Sequence, residues 1–156
     1  MPEVGVVFAP CAGRFFSGLP GRAESLEIDG GYQIVGRRPI SVRRAVAPLA
    51  VVASRSHNTP ETEAYIRDLG AAEIVSVGSS LKFCLLASAE ADVYPRFGRT
   101  MEWDTAAGDA ILRAAGGMTR TLDGQPLVYG KRRQSDDEDF ANPHFIASGG
   151  AGVSPA

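Results

Sequence analysis

One carboxylate, Asp104, is the first candidate for chemistry in this sequence. It lies in the stretch 102-EWDTAAGDAILRAAGG-117, directly after the only tryptophan and before an alanine-rich segment. The simpler interpretation is a helix cap, because an aspartate at a helix start accepts hydrogen bonds from free backbone N–H groups. Small residues in the two turns that follow leave room for close approach, so the same side chain could also coordinate a hard cation. Both interpretations stay open on this stretch alone.

The stretch 78-GSSLK-82 carries residue types that bind phosphate. Free N–H groups at a helix start attract an anion, and Ser79 and Lys82 would add a hydroxyl and a compensating charge. The alternative is a serine-capped helix with an exposed lysine. Arg96 can donate two parallel hydrogen bonds to a phosphate, and His57 can donate to a phosphate or a nucleobase. For these two residues the alternative is a solvated surface position.

Other features of the sequence exclude several classes of function. No Ser/His/Asp or Cys/His pairing has the spacing of a nucleophilic site, which argues against covalent catalysis. Cys11 and Cys84 form no CxxC motif and no cluster with histidine, which argues against structural zinc or disulfides and suits a reducing compartment. The formal net charge of -2 gives no reason to expect nucleic acid as a partner.

The sequence also predicts where the protein acts. The longest apolar stretch, residues 45–53, contains a proline and is too short to span a bilayer. The N-terminal residues lack the basic and apolar regions of a signal peptide, and nothing in the sequence supports peripheral membrane association. We therefore expect a cytoplasmic protein that acts on a small molecule.

The hydrophobic pattern changes near residue 48 and predicts two structural parts. Before it, three short β-rich runs predict antiparallel strands, and the arginine-rich segment 37–48 predicts a connection that is either solvated or able to hold an anion. After it, buried strands alternate with helices, of which the first has Thr59 as its N-cap and Pro60 as its first residue. The predicted strands are 4–10, 14–18, 25–28, 49–54, 73–77, 92–97, 118–121 and 145–147; the predicted helices are 60–69, 78–91 and 104–115.

This alternation predicts an α/β fold with a mostly parallel sheet. We expect residues 48–147 to form that α/β domain, residues 1–47 to form strands of an incomplete antiparallel sheet, and residues 148–156 to be a flexible tail. Ligands gather at the carboxyl ends of parallel strands. The loops there carry His57, Ser79, Lys82, Arg96 and Asp104, so these five side chains are expected to be neighbours.

The stretch 103-WDTAAGDAILRAAGG-117 resembles the C-terminal signature of the inositol monophosphatase superfamily. With 54-SRSH-57, 78-GSSLKFCLLASAEADVYPRFG-98 and 142-NPHFIA-147, the chain is similar to the bisphosphate nucleotidases of that superfamily. These enzymes remove the 3'-phosphate from adenosine 3',5'-bisphosphate, a by-product of sulfur assimilation. The resemblance implies a layered αβαβα sandwich and magnesium-dependent phosphomonoester hydrolysis.

The resemblance also implies a role for each site residue. Asp104 would be a Mg²⁺ ligand and catalytic residue that also contacts the substrate. Ser79, Lys82 and Arg96 would hold the phosphate and sugar of the nucleotide, and His57 would contact the nucleotide. Inositol phosphatases have an acidic residue near position 96, so an arginine there favours a substrate with a second phosphate.

The chain departs from the family pattern in one respect. The family takes most of its metal ligands from a glutamate on an upstream helix and from a D-P-x-D-G-T loop, and neither motif occurs here. We therefore expect the chain to correspond to the C-terminal portion of the enzyme, with an incomplete Mg²⁺ site, and to be inactive or nearly so without the N-terminal half or a partner chain. The alternatives are a non-catalytic nucleotide- or anion-binding remnant, half of a split protein, and an inositol-monophosphatase-like sugar phosphatase.

Overall fold

The structure, a computed structural model, describes residues 1–54, 59–70, 73–78 and 80–150. Its first part is an antiparallel sheet of four strands, which are β1 (Gly5–Ala9), β2 (Arg14–Leu19), β3 (Arg22–Ile28) and β4 (Ile34–Pro39). These strands lie in the order β1-β2-β3-β4. The three predicted strands in this region are confirmed.

The fourth strand, β4, was not predicted, and it enters the segment 37–48 that was predicted to be a connection. It pairs with β3 along most of its length. Its side chains are mainly exposed, and Arg37 forms an ion pair of 3.1 Å with Glu24 on β3. A strand held by cross-strand charges does not show the alternation of apolar and polar residues by which strands are recognised.

The second part contains two sheets and three helices. Its elements are β5 (Ala50–Ala53), α1 (Pro60–Asp68), β6 (Glu73–Ser76), α2 (Leu81–Ala87), β7 (Val93–Arg96), β8 (Thr100–Met101), α3 (Glu102–Ala114), β9 (Met118–Thr121), β10 (Ala141–Asn142) and β11 (Phe145–Ser148). The larger sheet has five strands in the order β6-β5-β7-β11-β9, and a separate two-stranded sheet pairs β8 with β10. None of the helices in the described ranges has the length and apolarity needed to cross a bilayer.

The direction of the strands confirms an α/β fold with a mostly parallel sheet. β5 pairs in parallel with both β6 and β7. β11 lies between β7 and β9 and is antiparallel to both. Four strands therefore run in one direction, and β11 alone is reversed.

Two apolar layers cover the five-stranded sheet, one on each face. Ala50 and Val52 of β5 belong to the core that contains α2 and α3, whereas Val51 and Ala53 pack on the other face with Ile66 of α1. This is the strand buried on both faces that the continuous apolar run predicted. The antiparallel sheet joins the first core, so the layers are sheet, helix pair, sheet and helix.

Helix α3 lies very close to its neighbours, and small residues make this possible. A Cβ atom on Gly5 of β1 would lie 2.2 Å from the carbonyl oxygen of Ala107. A Cβ atom on Gly108 would lie 2.6 Å from a ring carbon of Phe83 on α2. The small residues after Asp104 therefore allow the protein's own elements to pack closely.

The helix ends differ in how well the sequence predicts them. Thr59 caps α1 as predicted, since its hydroxyl accepts a hydrogen bond of 3.3 Å from the N–H of Thr62. The predicted start of α3 at Asp104 is wrong, because the helix begins at Glu102 and Asp104 is its third residue. The predicted end at 115 lies one residue beyond Ala114. The second helix is also shorter than predicted, covering Leu81–Ala87 rather than 78–91.

The segment between β4 and β5 is fastened to the α/β part by an ion pair. Arg43 donates two hydrogen bonds of 2.8 Å to the buried carboxylate of Asp92, which also accepts one from the N–H of Ala50.

The predicted division of the chain into two parts at residue 47 stays a prediction. At the other end, β11 includes Ser148, one residue of the predicted tail, and residues 151–156 lie outside the described part.

Candidate functional site

A pocket of about 390 Å³ opens where β7 ends and where α2 and α3 begin. It brings together three of the predicted site residues, Lys82, Arg96 and Asp104. The other two, His57 and Ser79, lie outside the described residues, so their positions stay predictions. The pocket is lined by Ser54, Ser80, Lys82, Phe83, Tyr94, Arg96, Arg99, Thr100, Trp103, Asp104 and Thr105.

Asp104 fixes the start of α3 with one of its two carboxylate oxygens. Its Oδ2 accepts a hydrogen bond of 2.8 Å from the N–H of Met101, the residue that precedes the helix. Ser80 donates a hydrogen bond of 3.0 Å to the carbonyl oxygen of Asp104, which joins the start of α2 to α3. Oδ1 has no hydrogen-bond partner within the described ranges. Capping and ligand binding are therefore compatible, because each can use a different oxygen.

Lys82 is a buried cation in the wall of the pocket. Its residue surface is only 4% exposed, although it lies in the first turn of α2. Its Nζ lies 5.3 Å from the centre of the Tyr94 ring. Burial lowers the pKa of Lys82 to about 8, and the nearby positive charge of Arg96 adds to this effect. The alternative of an exposed lysine on a serine-capped helix is wrong, and Lys82 remains mostly charged at neutral pH.

Arg96 closes the pocket at the end of β7. Its Nη2 donates a hydrogen bond of 3.1 Å to the carbonyl oxygen of Arg99. Its Nε is buried and has no hydrogen-bond partner in the described part of the chain. A buried N–H without a partner is costly, so the guanidinium of Arg96 retains donor capacity for a ligand.

Arg99 is a pocket residue that was not predicted. It lies in the loop 96–104, which was expected to contribute to the site, but no pattern distinguishes it from a surface arginine. Its guanidinium forms two ion pairs, one of 2.9 Å with Asp137 and one of 2.5 Å with Glu138.

A hydrogen-bond network behind the pocket supports the first turn of α3. Asn142 donates to the hydroxyls of Thr100 (3.2 Å) and Thr105 (3.1 Å). Lys131 donates to Oδ1 of Asn142 (3.1 Å) and to Oε1 of Glu102 (2.7 Å). These bonds connect the short sheet of β8 and β10 to the helix that carries Asp104. Asn142 opens the motif 142-NPHFIA-147, and that motif was the signal by which this role could have been found.

The residues present do not by themselves fit a magnesium site. The described ranges contain no group of three or more His, Cys, Asp or Glu side chains that could hold a metal ion. Asp104 is the one carboxylate among the described residues that line the pocket. Mg²⁺ keeps its waters unless several oxygens are held in near-octahedral positions. The same wall carries Lys82, Arg96 and Arg99, so the described pocket is suited to an anion.

Comparisons with known proteins agree with this architecture. Residues 1–142 match the model of the inositol monophosphatase family. The chain is 44% identical over 147 residues to the 3'(2'),5'-bisphosphate nucleotidase CysQ of Escherichia coli (strain K12), an alignment that covers 94% of this chain and 55% of the relative. An uncharacterised protein in the pss 5' region of Rhizobium leguminosarum bv. phaseoli is 65% identical over 86 residues, which are 55% of this chain and 90% of that protein.

Solved structures of inositol monophosphatase family proteins share the fold of this chain. The crystal structure of CysQ from Bacteroides thetaiotaomicron superposes with a TM-score of 0.80 at 40% identity, covering 96% of this chain and 58% of that one. An inositol monophosphatase from Anabaena shares the fold, with a TM-score of 0.67 at 23% identity, over 97% of this chain and 55% of its own. The chain thus spans about half the length of the bisphosphate nucleotidases that it matches.

Proposed function

The chain belongs to the inositol monophosphatase family, and from this we propose that its pocket is the phosphate-binding part of a bisphosphate nucleotidase site. The proposed ligand is adenosine 3',5'-bisphosphate. The observation that carries the proposal is the buried ammonium of Lys82 beside Arg96, in a pocket whose only described carboxylate is Asp104. The identity to CysQ proteins over most of the chain supports the choice of a nucleotide over another phosphoester.

The charges in the pocket support an anionic ligand. Burying the ammonium group of Lys82 is unfavourable, as its lowered pKa indicates. A bound phosphate would offset this penalty, because opposite charges attract strongly where water is excluded. Arg96 would add directional hydrogen bonds from its guanidinium. The volume of about 390 Å³ lies within the range of roughly 300–1,000 Å³ that is typical of small-molecule sites.

We propose that Asp104 contacts the reacting phosphate region through Oδ1 while Oδ2 continues to hold the start of α3. The family resemblance implies that Mg²⁺ supplies the activation of water, which one carboxylate does not support. Hydrolysis therefore requires metal ligands in addition to Asp104. These would come from further chain or from a partner that carries the glutamate helix and the D-P-x-D-G-T loop.

Calorimetric titration of the 156-residue chain tests the binding part of the proposal. We expect adenosine 3',5'-bisphosphate to bind more tightly than adenosine 5'-monophosphate or inositol 1-phosphate. Lys82→Met and Arg96→Gln should each weaken binding by about tenfold, the effect expected for one charge-assisted hydrogen bond. Equal binding of all three ligands, or no effect of either substitution, would contradict the proposal.

A phosphate-release assay with Mg²⁺ tests the catalytic part. The 156-residue chain alone should release phosphate from adenosine 3',5'-bisphosphate negligibly. Addition of a polypeptide with the glutamate helix and the D-P-x-D-G-T loop should produce turnover, and Asp104→Asn should remove most of it. If nucleotide binds but the complemented protein stays inactive, the alternative of a non-catalytic nucleotide-binding protein is correct. The single described carboxylate of the pocket is the observation that favours that alternative.

A further inference from the structure

Arg99 faces the pocket, but the protein's own carboxylates hold its guanidinium. Nη1 lies 2.9 Å from Oδ1 of Asp137, and Nη2 lies 2.5 Å from Oε1 of Glu138. All three side chains are well exposed, at 56%, 39% and 62% respectively. Ion pairs at exposed positions contribute little to stability. A stronger anion could therefore replace these carboxylates as the partner of Arg99.

The acidic loop, residues 136–139, keeps its shape through contacts that do not involve Arg99. The side chain of Gln134 donates a hydrogen bond of 2.7 Å to the carbonyl oxygen of Glu138. The N–H of Glu138 donates to Oδ1 of Asp137 at 2.8 Å. The N–H of Arg133 donates to Oδ1 of Asp139 at 2.6 Å. The carboxylates are thus presented to the edge of the pocket by a loop with its own hydrogen bonds.

The backbone of Arg99 is held from the other side. Its carbonyl oxygen accepts the hydrogen bond of 3.1 Å from Nη2 of Arg96. The side chain of Arg99 can therefore exchange partners while its main chain stays beside Arg96. A guanidinium has five N–H donors in a planar arrangement that matches a phosphate as well as a carboxylate.

We propose that Arg99 is a third phosphate-binding cation of the pocket, and that the acidic loop is the counter-anion which a ligand phosphate must displace. This inference rests on the proposed function and concerns its specificity. A ligand with one phosphate binds to Lys82 and Arg96, and Arg99 then keeps its ion pairs with the loop. A second phosphate, at the outer edge of the pocket, competes for Arg99. The loop thus sets how strongly a bisphosphate is preferred over a monophosphate.

The test compares the affinities of adenosine 3',5'-bisphosphate and adenosine 5'-monophosphate for four forms of the 156-residue chain. The first form is the wild type. The second, Asp137→Asn with Glu138→Gln, removes both negative charges but keeps the Oδ1 acceptor for the N–H of Glu138. The third adds Arg99→Gln to these substitutions. The fourth is a matched control, Asp68→Asn with Glu3→Gln, which changes the net charge equally at two exposed carboxylates outside the acidic loop that have no ion pair in the described part.

The double loop variant should bind the bisphosphate about two- to fivefold more tightly, the equivalent of one or two exposed ion pairs, and the monophosphate with little change. Adding Arg99→Gln should abolish the gain, and the control variant should resemble the wild type. Three results would overturn the inference and leave the proposed function intact. These are an equal gain in affinity for both ligands, a gain that persists after Arg99→Gln, and an equal gain in the control variant. Failure of the wild type to bind either nucleotide would overturn both.

Discussion

Replacing Lys82 with methionine should stabilise the protein while it weakens phosphate binding. The side chains have similar length and volume, so methionine fills the same space without the charge. Lys82 is 4% exposed, and burial lowers its pKa from 10.5 to about 8. The folded state therefore binds the Lys82 proton less tightly than the unfolded state does. Protonated Lys82 consequently opposes folding.

The size of the effect follows from that difference in pKa. At about 1.36 kcal/mol per pKa unit, the shift corresponds to roughly 3 kcal/mol when Lys82 is protonated in both states. The net gain is smaller than this, because the variant loses the contact of the ammonium with the Tyr94 ring and the further interaction that Lys82 makes. We therefore expect Lys82→Met to raise the free energy of unfolding by about 1–3 kcal/mol at pH 7.

The pH dependence of the free energy of unfolding is a second test of whether the charge of Lys82 opposes folding. Because the folded pKa is the lower one, the wild type gains stability as the pH rises from about 8 towards 10.5. The methionine variant lacks this gain, so the advantage of the variant in free energy of unfolding should fall by about 2.5 kcal/mol between pH 7 and pH 10. Urea unfolding of both proteins at the two pH values measures this difference.

Lys131, the second lysine of the sequence, is a matched control for which we expect the opposite change in the free energy of unfolding. Its ammonium donates to Glu102, Asn142 and the carbonyl oxygen of Val128. Lys131→Met should therefore destabilise the protein, because it leaves those acceptors without their donor. If Lys82→Met destabilises the protein by a similar amount at both pH values, Lys82 is a structural residue and the reasoning is wrong.

Three further changes test other parts of the structure. Gly108→Ala should lower the free energy of unfolding by about 1–2 kcal/mol in a urea titration, because the new methyl group meets Phe83 at 2.6 Å and the gain in helix propensity only partly offsets this; an unchanged midpoint would contradict the close packing. Arg43→Gln should cost about 2–3 kcal/mol at pH 7, since it leaves the buried carboxylate of Asp92 without its ion pair. The pKa of Asp92 is lowered chiefly by its hydrogen bonds from Arg43, so this cost should begin to fall below about pH 4 and be lost only below the lowered pKa of the folded protein; a cost equal at pH 7 and pH 3 would refute the assignment. Asp104→Asn should change thermal stability by less than about 0.5 kcal/mol, because asparagine keeps an oxygen for the helix start, whereas Asp104→Ala should cost about 1 kcal/mol.

The sequence predicted those parts of the fold that local patterns encode. A continuous apolar run such as 49–54 occurs where both faces of a strand are covered, and Thr59 followed by proline is typical of the start of a helix. The start of α3 was predicted incorrectly because Asp104 is a good N-cap residue. The actual start is held by Oδ2 of Asp104, which accepts a hydrogen bond from the N–H of Met101, and by tertiary contacts of Glu102 with the backbone N–H groups of Gly130 and Lys131. No local pattern encodes the contacts of Glu102.

The sequence predicted several of the residues that line the pocket, but it did not predict their burial or their ion pairs. Loops at the carboxyl ends of neighbouring strands lie close together, and this rule predicted that Lys82, Arg96 and Asp104 would line one pocket, as they do. The burial of Lys82 depends on how α2 packs against β7, which the sequence alone does not give. Arg99 was missed because its position depends on ion pairs with residues almost forty positions away.

The reversed strand β11 has a consequence for the order in which the protein can be assembled. β9 pairs with β11, and β11 is also the strand that joins β9 to β7. During synthesis on the ribosome, β9 is made more than twenty residues before Phe145. Until β11 is made, β7 lacks the partner that covers one of its edges in the folded sheet. Completion of the sheet therefore waits for the synthesis of β11, and a nascent chain stalled before residue 145 should be a substrate for chaperones that bind open strand edges.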